Sequence, residues 1–400
     1  MALNRRRFVR VSGILGAGRL FGQLPANRPS QLTTFRVLNV SADNGHPISG
    51  TYAYDLNNVG HLTGTFDDPE TQSLVPFLFR PNSTMTAGEF ASVSSLIGES
   101  ARRLTLIGPP AINNTGVLAG SGSARSGGRG ARFVYRLIPP QAALGPWEFE
   151  RGPDLSQGYV GDDVRISVRG DAVFCVRPLP LQGNAEARVF VWLQEKQDYV
   201  DLGPAAPNFR ITGCTRDGAR LIICGSGSQG GESEAVRIEY DVVSGAKDLR
   251  ILSHSANRHC QALGMNDRGD IVGSCLTQIA DGFAERAFQR SENHWHVTLG
   301  TLGGTRGVAY SVNDWGDVVG HSERADPAGG PIKATAFLFR RYKLIDLTTL
   351  LGDATPTALS KAQLLINDRG YIAGNVDGPY APACKGEHSF LLVPSPLNIG

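Results

Sequence analysis

Three ten-residue phrases in this chain are close to identical: MNDRGDIVGS at 265–274, VNDWGDVVGH at 312–321 and INDRGYIAGN at 366–375. A phrase that returns at a roughly constant period marks a structural unit that cannot bury its apolar face alone and must stack on its own copies. Looser copies stand upstream: LNNVGHLTGT (56–65), INNTGVLAGS (112–121), ISVRGDAVFC (166–175) and CTRDGARLII (214–223). Their turn glycines are Gly60, Gly116, Gly170, Gly218, Gly269, Gly316 and Gly370, spaced by 56, 54, 48, 51, 47 and 54 residues. Few folds accept that regularity over a whole chain.

Each phrase is followed, after a variable gap, by an aromatic-rich strand: PFLFR (76–80), ARFVYR (131–136), RVFVWL (188–193), AVRIEY (235–240), RAFQR (286–290), AFLFR (336–340) and SFLLV (389–393). A further strand follows in most units, as in YVDLG (199–203), VTLGTLGG (297–304) and KLIDLTTL (343–350). Four short strands per unit, in seven units, predict an all-β, seven-bladed β-propeller. The turn chemistry agrees. Asn113, Asn266, Asn313 and Asn367 open the turn three residues before the glycine, as in a type I turn whose asparagine bonds the backbone and whose glycine takes a positive φ. The triplet RGD occurs at 169–171 and 268–270, but both copies fall on this turn, so a structural role is expected of them. The last unit lacks its fourth strand, and TFRVLNV (34–40) precedes the first unit. The N-terminal strand is expected to complete the last blade and remove the open edges. The propeller then spans 31–397. Residues 1–30, with Arg5, Arg6, Phe8 and Arg10, read as a twin-arginine-like export signal or a disordered basic terminus.

Composition narrows the function classes. Net charge is +2 without a run of one sign, which disfavours nucleic acid, and no apolar stretch has the length of a membrane span. If the repeated turns are scaffold, binding falls to the variable loops on the opposite face. Those loops hold Asp67, Asp68 and Glu70; Arg125 and Arg129; Glu232 and Glu234; Asp281 and Glu285; His321, Glu323, Arg324 and Asp326; and Asp377, Lys385 and Glu387. Twelve acids against eight bases across these loops do not favour a phosphate-rich partner. The chain has no G-x-S-x-G, H-E-x-x-H, C-x-x-C or P-loop motif. No catalytic, cofactor-binding or metal residue is assigned. Asp162-Asp163 and Asp67-Asp68 are adjacent, so on a strand each pair points to opposite faces. His294 and His296 share a strand face, with His254 and His259 upstream, but a metal site needs further ligands. The glycine-rich run at 120–130 leads into a strand, so no helix N-terminus is there to cradle a phosphate.

Six cysteines suit an oxidising compartment. Cys260 and Cys275 flank one hairpin, but a three-residue loop at Gly269 sets them one residue out of register. Buried thiols are expected at Cys175, Cys214 and Cys224.

The phrases CQALGMNDRGDIVG (260–273), TLGTLGG (298–304), AYSVNDWGDVVG (309–320) and ATAFLF (334–339), with HSF at 388–390, resemble the extracellular HAF repeat of bacterial proteins. The resemblance covers residues 34 to about 394 and is weakest in units three and four, where SVRG and TRDG replace the asparagine turn. It implies a propeller exported to the periplasm or medium, and it implies no catalytic residues. The expected function is binding of a protein or glycan of the cell envelope by a monomer, without cofactor, through the variable loops or the central channel. The alternatives are a hydrolase or lyase with its site at the channel mouth, and a scaffold with no specific ligand. Three converging acids at that mouth would favour the enzyme.

Overall fold

The computed structural model describes residues 34–40, 50–68, 71–98, 104–124, 131–141, 145–155, 159–178, 186–229, 231–252, 257–291, 294–326, 328–351, 363–377 and 387–395. Their strands form seven four-stranded antiparallel sheets. Six of these are built from consecutive strands, and the seventh takes Thr34–Val40 as its outermost strand, paired with Glu387–Ser395 from Thr34↔Ser395 to Val40↔Ser389. This is the seven-bladed propeller, closed by the N-terminal strand. The innermost strands are Thr51–Leu56, Leu104–Ile112, Tyr159–Ile166, Arg210–Asp217, Asn257–Met265, Gly303–Val312 and Leu365–Ile366. Two tail segments divide differently from the sequence expectation. VTLGTLGG splits, because the fourth strand of blade 5 ends at Thr298 and the first of blade 6 begins at Gly303. KLIDLTTL becomes the strand Lys343–Asp346 and a short 3-10 turn, Leu347–Leu350, capped by Asp346.

Stability resides between blades. Seven apolar clusters each join two successive sheets, as where Phe77 and Phe79 of blade 1 meet Leu391 and Val393 of blade 7. The third-strand aromatics supply most of the largest fully buried side chains, among them Phe133, Tyr135, Phe288, Phe337 and Phe390. Burying such a ring is worth about 1.5–3 kcal/mol, which is why the aromatic strand recurs.

The repeated asparagine does more than shape its own turn. Asn313 Oδ1 accepts from Trp315 N and Asp317 N, at 3.1 and 2.9 Å, and so fixes the loop. Gly316 sits at φ +76, where a side chain is disfavoured. The Asn313 amide then donates to Asn367 O of the next blade, 3.0 Å away. The same step is repeated from Asn367 to Asn57 O (2.8 Å), Asn57 to Asn113 O (3.2 Å), Asn113 to Ser167 O (3.1 Å) and Asn266 to Asn313 O (2.9 Å). Thr215 Oγ1 takes over in blade 4, donating to Asp267 O at 2.9 Å. Between blades 3 and 4 the link is ionic: Arg216 Nη1 lies 2.9 Å from Asp171 Oδ1. The aspartates of both RGD triplets are spent in these turns. Asp171 is 0% exposed in that ion pair, and Asp270 accepts from Asn266 Nδ2.

Candidate functional site

The second glycine of the repeated phrase has a cause separate from the first. Six inner strands break register near their ends: between Ala53 and Asp55, Ile107 and Ala111, Asp162 and Arg165, Ile211 and Gly213, Ala262 and Gly264, and Ala309 and Ser311. In blades 1, 4, 5 and 6 the shift sets a backbone carbonyl of the inner strand against a glycine of its neighbour. A Cβ on Gly273 would lie 1.7 Å from Gln261 O, and one on Gly320 2.0 Å from Val308 O. Only glycine fits against these carbonyls, and blade 3, with Phe174 at that position of the phrase, does without one.

Bulges re-aim side chains, and they gather beside functional sites. Here the extra residues line the central space. Tyr54, Thr212, Leu263 and Tyr310 face a cavity of about 150 Å³ bounded by inner-strand residues from all seven blades. Tyr54 also borders a second cavity of about 270 Å³, with Gly108, Pro109, Asp163, Val164, Arg177 and Arg210. The frame repeats while the side chains it presents do not.

One constellation dominates the cavity. Arg165, from the inner strand of blade 3, donates Nε to Thr212 O at 3.2 Å and stacks its guanidinium 4.2 Å from the centre of the Tyr54 ring. Its Nη1 is buried and finds no acceptor among the described residues. Burial opposes the Arg165 charge, but Tyr54, Asp55 and Asp163 outweigh it and hold the cation. Asp55 accepts from Leu56 N and Ile112 N, at 2.9 and 3.0 Å. Burial raises its pKa, and Arg165 pulls the other way. Asp163 has a positive φ of 49 and lies 3.7 Å from Arg177. A non-glycine residue keeps such a backbone conformation where the surroundings enforce it.

A second ring closes the turn-side mouth. Asn58 N donates to Asn114 Oδ1 (2.8 Å), Asp267 N to Asp314 Oδ1 (3.0 Å), Asp314 N to Asp368 Oδ1 (2.7 Å) and Asp368 N to Asn58 Oδ1 (2.9 Å). Asn114 Nδ2 donates to Asp267 Oδ2 at 3.0 Å. Three carboxylates from successive blades therefore crowd together. Burial, then the Asp368 charge, pushes Asp267 up to about 6. Burial, then Asp368 and Asp267, pushes Asp314 up to about 7.

Among the described residues, the loop positions singled out from the sequence do not converge in this way. Glu323 accepts from Thr305 N and Arg306 N, Arg324 meets Asp346, Glu285 accepts from Ser274, and Asp68 accepts from Thr71. His321 is buried edge-on against Tyr310. His259 lies on the inner strand of blade 5, whereas His294 and His296 lie on its outermost strand. Among the described residues no group of three His, Cys, Asp or Glu is placed to hold a metal. Glu70, Arg125, Arg129, His254, Lys385 and residues 1–30 lie outside the described residues.

The cysteine expectation is corrected. Cys260 and Cys275 form a disulfide. The three-residue loop does offset the strands, but the bulge at Leu263 moves the pairing from Gly264↔Val272 to Ala262↔Gly273 and so brings Cys260 opposite Cys275. Cys175 and Cys224 are buried thiols, and Cys214 lines the cavity, its pKa raised by burial.

A signal for Arg165 was present in the sequence. Two residues before the turn's first position the units read Asp55, Ala111, Arg165, Gly213, Gly264, Ser311 and Leu365. Two charges in a column of small or apolar residues mark the departure from scaffold.

No family model matches this chain, and no curated protein does. Its structure is similar to the β-propeller domain of the Trilobed protease from Pyrococcus furiosus, with TM-score 0.47 and 10% identity, covering 73% of this chain and 85% of that one. It is also similar to an ulvan lyase of a polysaccharide lyase family, with TM-score 0.43 and 11% identity, covering 90% and 96%. A third likeness is to the Pyrococcus horikoshii acylaminoacyl peptidase, with TM-score 0.42 and 10% identity, covering 68% of this chain and 43% of that one. At these identities they are likenesses of fold alone. No helix among the described residues is long and apolar enough to cross a membrane.

Proposed function

We propose that this protein is a binding propeller whose site is the central cavity, and that it takes a small polar molecule or the end of a glycan. The observation that carries this reading is the set of bulges: repeated backbone devices deliver unlike residues, Tyr54, Thr212, Leu263 and Tyr310, to one cavity. At about 150 Å³ the space is below the roughly 300–1,000 Å³ of drug-sized pockets. It accommodates one group of a ligand and not an extended chain. A thermal-shift screen of glycans and small polar molecules tests it, because a ligand of the folded state raises the melting temperature. A hit should vanish in Leu263→Trp, which fills the cavity, provided that variant melts cooperatively. Binding that survives the plug would move the site to the variable loops.

The second reading is a hydrolase or lyase. It is favoured by Asp267, Asp314 and Asp368 at the turn-side mouth, since a carboxyl group with a pKa near neutrality suits general acid–base work. Turnover of a bound glycan that is lost in Asp314→Asn would establish it; unchanged turnover in that variant would exclude this site.

Export and HAF-type membership belong to the same proposal. The Cys260–Cys275 disulfide supports an oxidising location. Fractionation of expressing cells tests it, and accumulation of full-length chain in the cytoplasm alone would count against export.

A further inference from the structure

We infer that the ligand of the cavity presents a carboxylate to Arg165. The inference rests on the cavity-binding reading above and adds the chemical class. Arg165 is a held cation with unmet demand. The Thr212 carbonyl accepts from its Nε, and Nη1 is buried without an acceptor among the described residues. A buried donor left unpaired is costly, and a charged one more so.

The two acids nearest in charge do not meet that demand. Asp55 turns its oxygens to Leu56 N and Ile112 N, and Asp163 is opposed to Arg177. The Tyr54 ring lies against the guanidinium face, which fixes its plane and leaves an edge for a partner. A planar fork of N–H donors held in that way matches a planar, two-oxygen anion.

The surroundings select the charge. Asp55 stands beside Arg165, and Asp267, Asp314 and Asp368 close the turn-side mouth. A monoanion gains from Arg165 with less repulsion from these acids than a phosphate dianion meets. Arg177 and Arg210 border the adjoining cavity of about 270 Å³ and add positive potential on that approach. The carboxylate group enters the smaller cavity while the rest of its carrier occupies the larger one.

Calorimetric titration of the full chain tests this with acetate, glucuronate, N-acetylglycine, inorganic phosphate and glucose. At least one carboxylate should bind, more tightly than phosphate or glucose. Arg165→Met should weaken it at least tenfold, and Arg165→Lys should also weaken it, since an ammonium keeps the charge and loses the fork. If Arg165→Met does not fold, Arg165→Lys and Arg165→Gln carry the comparison. Tightest binding of glucuronate assigns the carboxylate to a sugar, of N-acetylglycine to a peptide terminus, and equal binding to a free acid. Glucose binding as well as glucuronate, with the Arg165 variants unaffected, overturns the carboxylate inference and leaves the cavity reading intact. Preference for phosphate overturns it equally. No binding by any probe overturns both.

Discussion

Between blades 6 and 7 the ring is joined by the Asn313 amide on the Asn367 carbonyl. Between blades 3 and 4 the corresponding join is made by Arg216 on Asp171, with Glu195 on the outer side of the guanidinium. The amide seam is neutral, short and the same wherever the turn is the same. The ionic seam follows from two local changes. Ser167 stands where the asparagine would be and bonds its own turn through Asp171. The hairpin of blade 4 closes tightly, with Asp217 paired to Arg220 around Gly218 and Ala219. A longer side chain, Arg216, then spans the gap. Blade 3 also supplies Arg165 to the central cavity and Asp163, with its positive φ, to the adjoining one. Departure from the repeat in blade 3 thus coincides with the most unusual chemistry in the channel, as expected where local rules yield to a site.

The ionic seam should be the more sensitive of the two. Asp171→Asn should destabilise by about 3 kcal/mol, because it removes one partner of a buried pair; Glu195 limits the loss. Denaturant unfolding measures this, and a cost under about 1 kcal/mol would mean that Glu195 alone holds Arg216. Asn313→Ala should cost about 2 kcal/mol, for two turn bonds and one seam bond in a buried site. A cost no greater than that of an exposed asparagine would show that the amide seam is not structural.

The mouth is next. The folded pKa values of Asp267 and Asp314, about 6 and about 7, lie above the unfolded value of 3.8. The folded state therefore holds more protons across that range, and this stabilisation is present below pH about 4 and lost as pH rises through 6 and 7. Asp314→Asn keeps the acceptor that Asp267 N uses, as Asn58 and Asn114 already do at that position. It should raise stability at pH 8 by at least about 1 kcal/mol and flatten the decline between pH 4 and 7. A melting curve set across pH checks the sign, and an unchanged slope would place the titration elsewhere. The smallest effect is the most informative. Combining D171N with R216M should cost less than D171N alone, since both charges leave together. An additive double cycle would show that the pair is not coupled.

Blade number and ring closure were readable because they depend on short-range facts: a turn glycine at every unit, an aromatic strand after it, and a spare strand at 34–40 to match the missing one. The disulfide was not readable, because its register depends on a bulge at Leu263 that only strand pairing reveals. Nor was the place of Asp163 readable, since it lies inside the irregular pairing between Asp162 and Arg165. The cavity was named in advance only as one of two places. Its residues sit beside the phrases that look most like scaffold, while the loop charges Glu323, Arg324 and Glu285 are taken up by the local partners Thr305, Asp346 and Ser274.

Turn chemistry and strand period act over a few residues, and they suffice to specify a seven-unit, all-β ring. What the ring encloses depends on contacts between distant blades. Tyr54, Arg165 and Thr212 come from three blades and are separated by 111 and 47 residues. Nothing local relates them; closure of the ring and the bulges of its inner strands bring them within contact of one another.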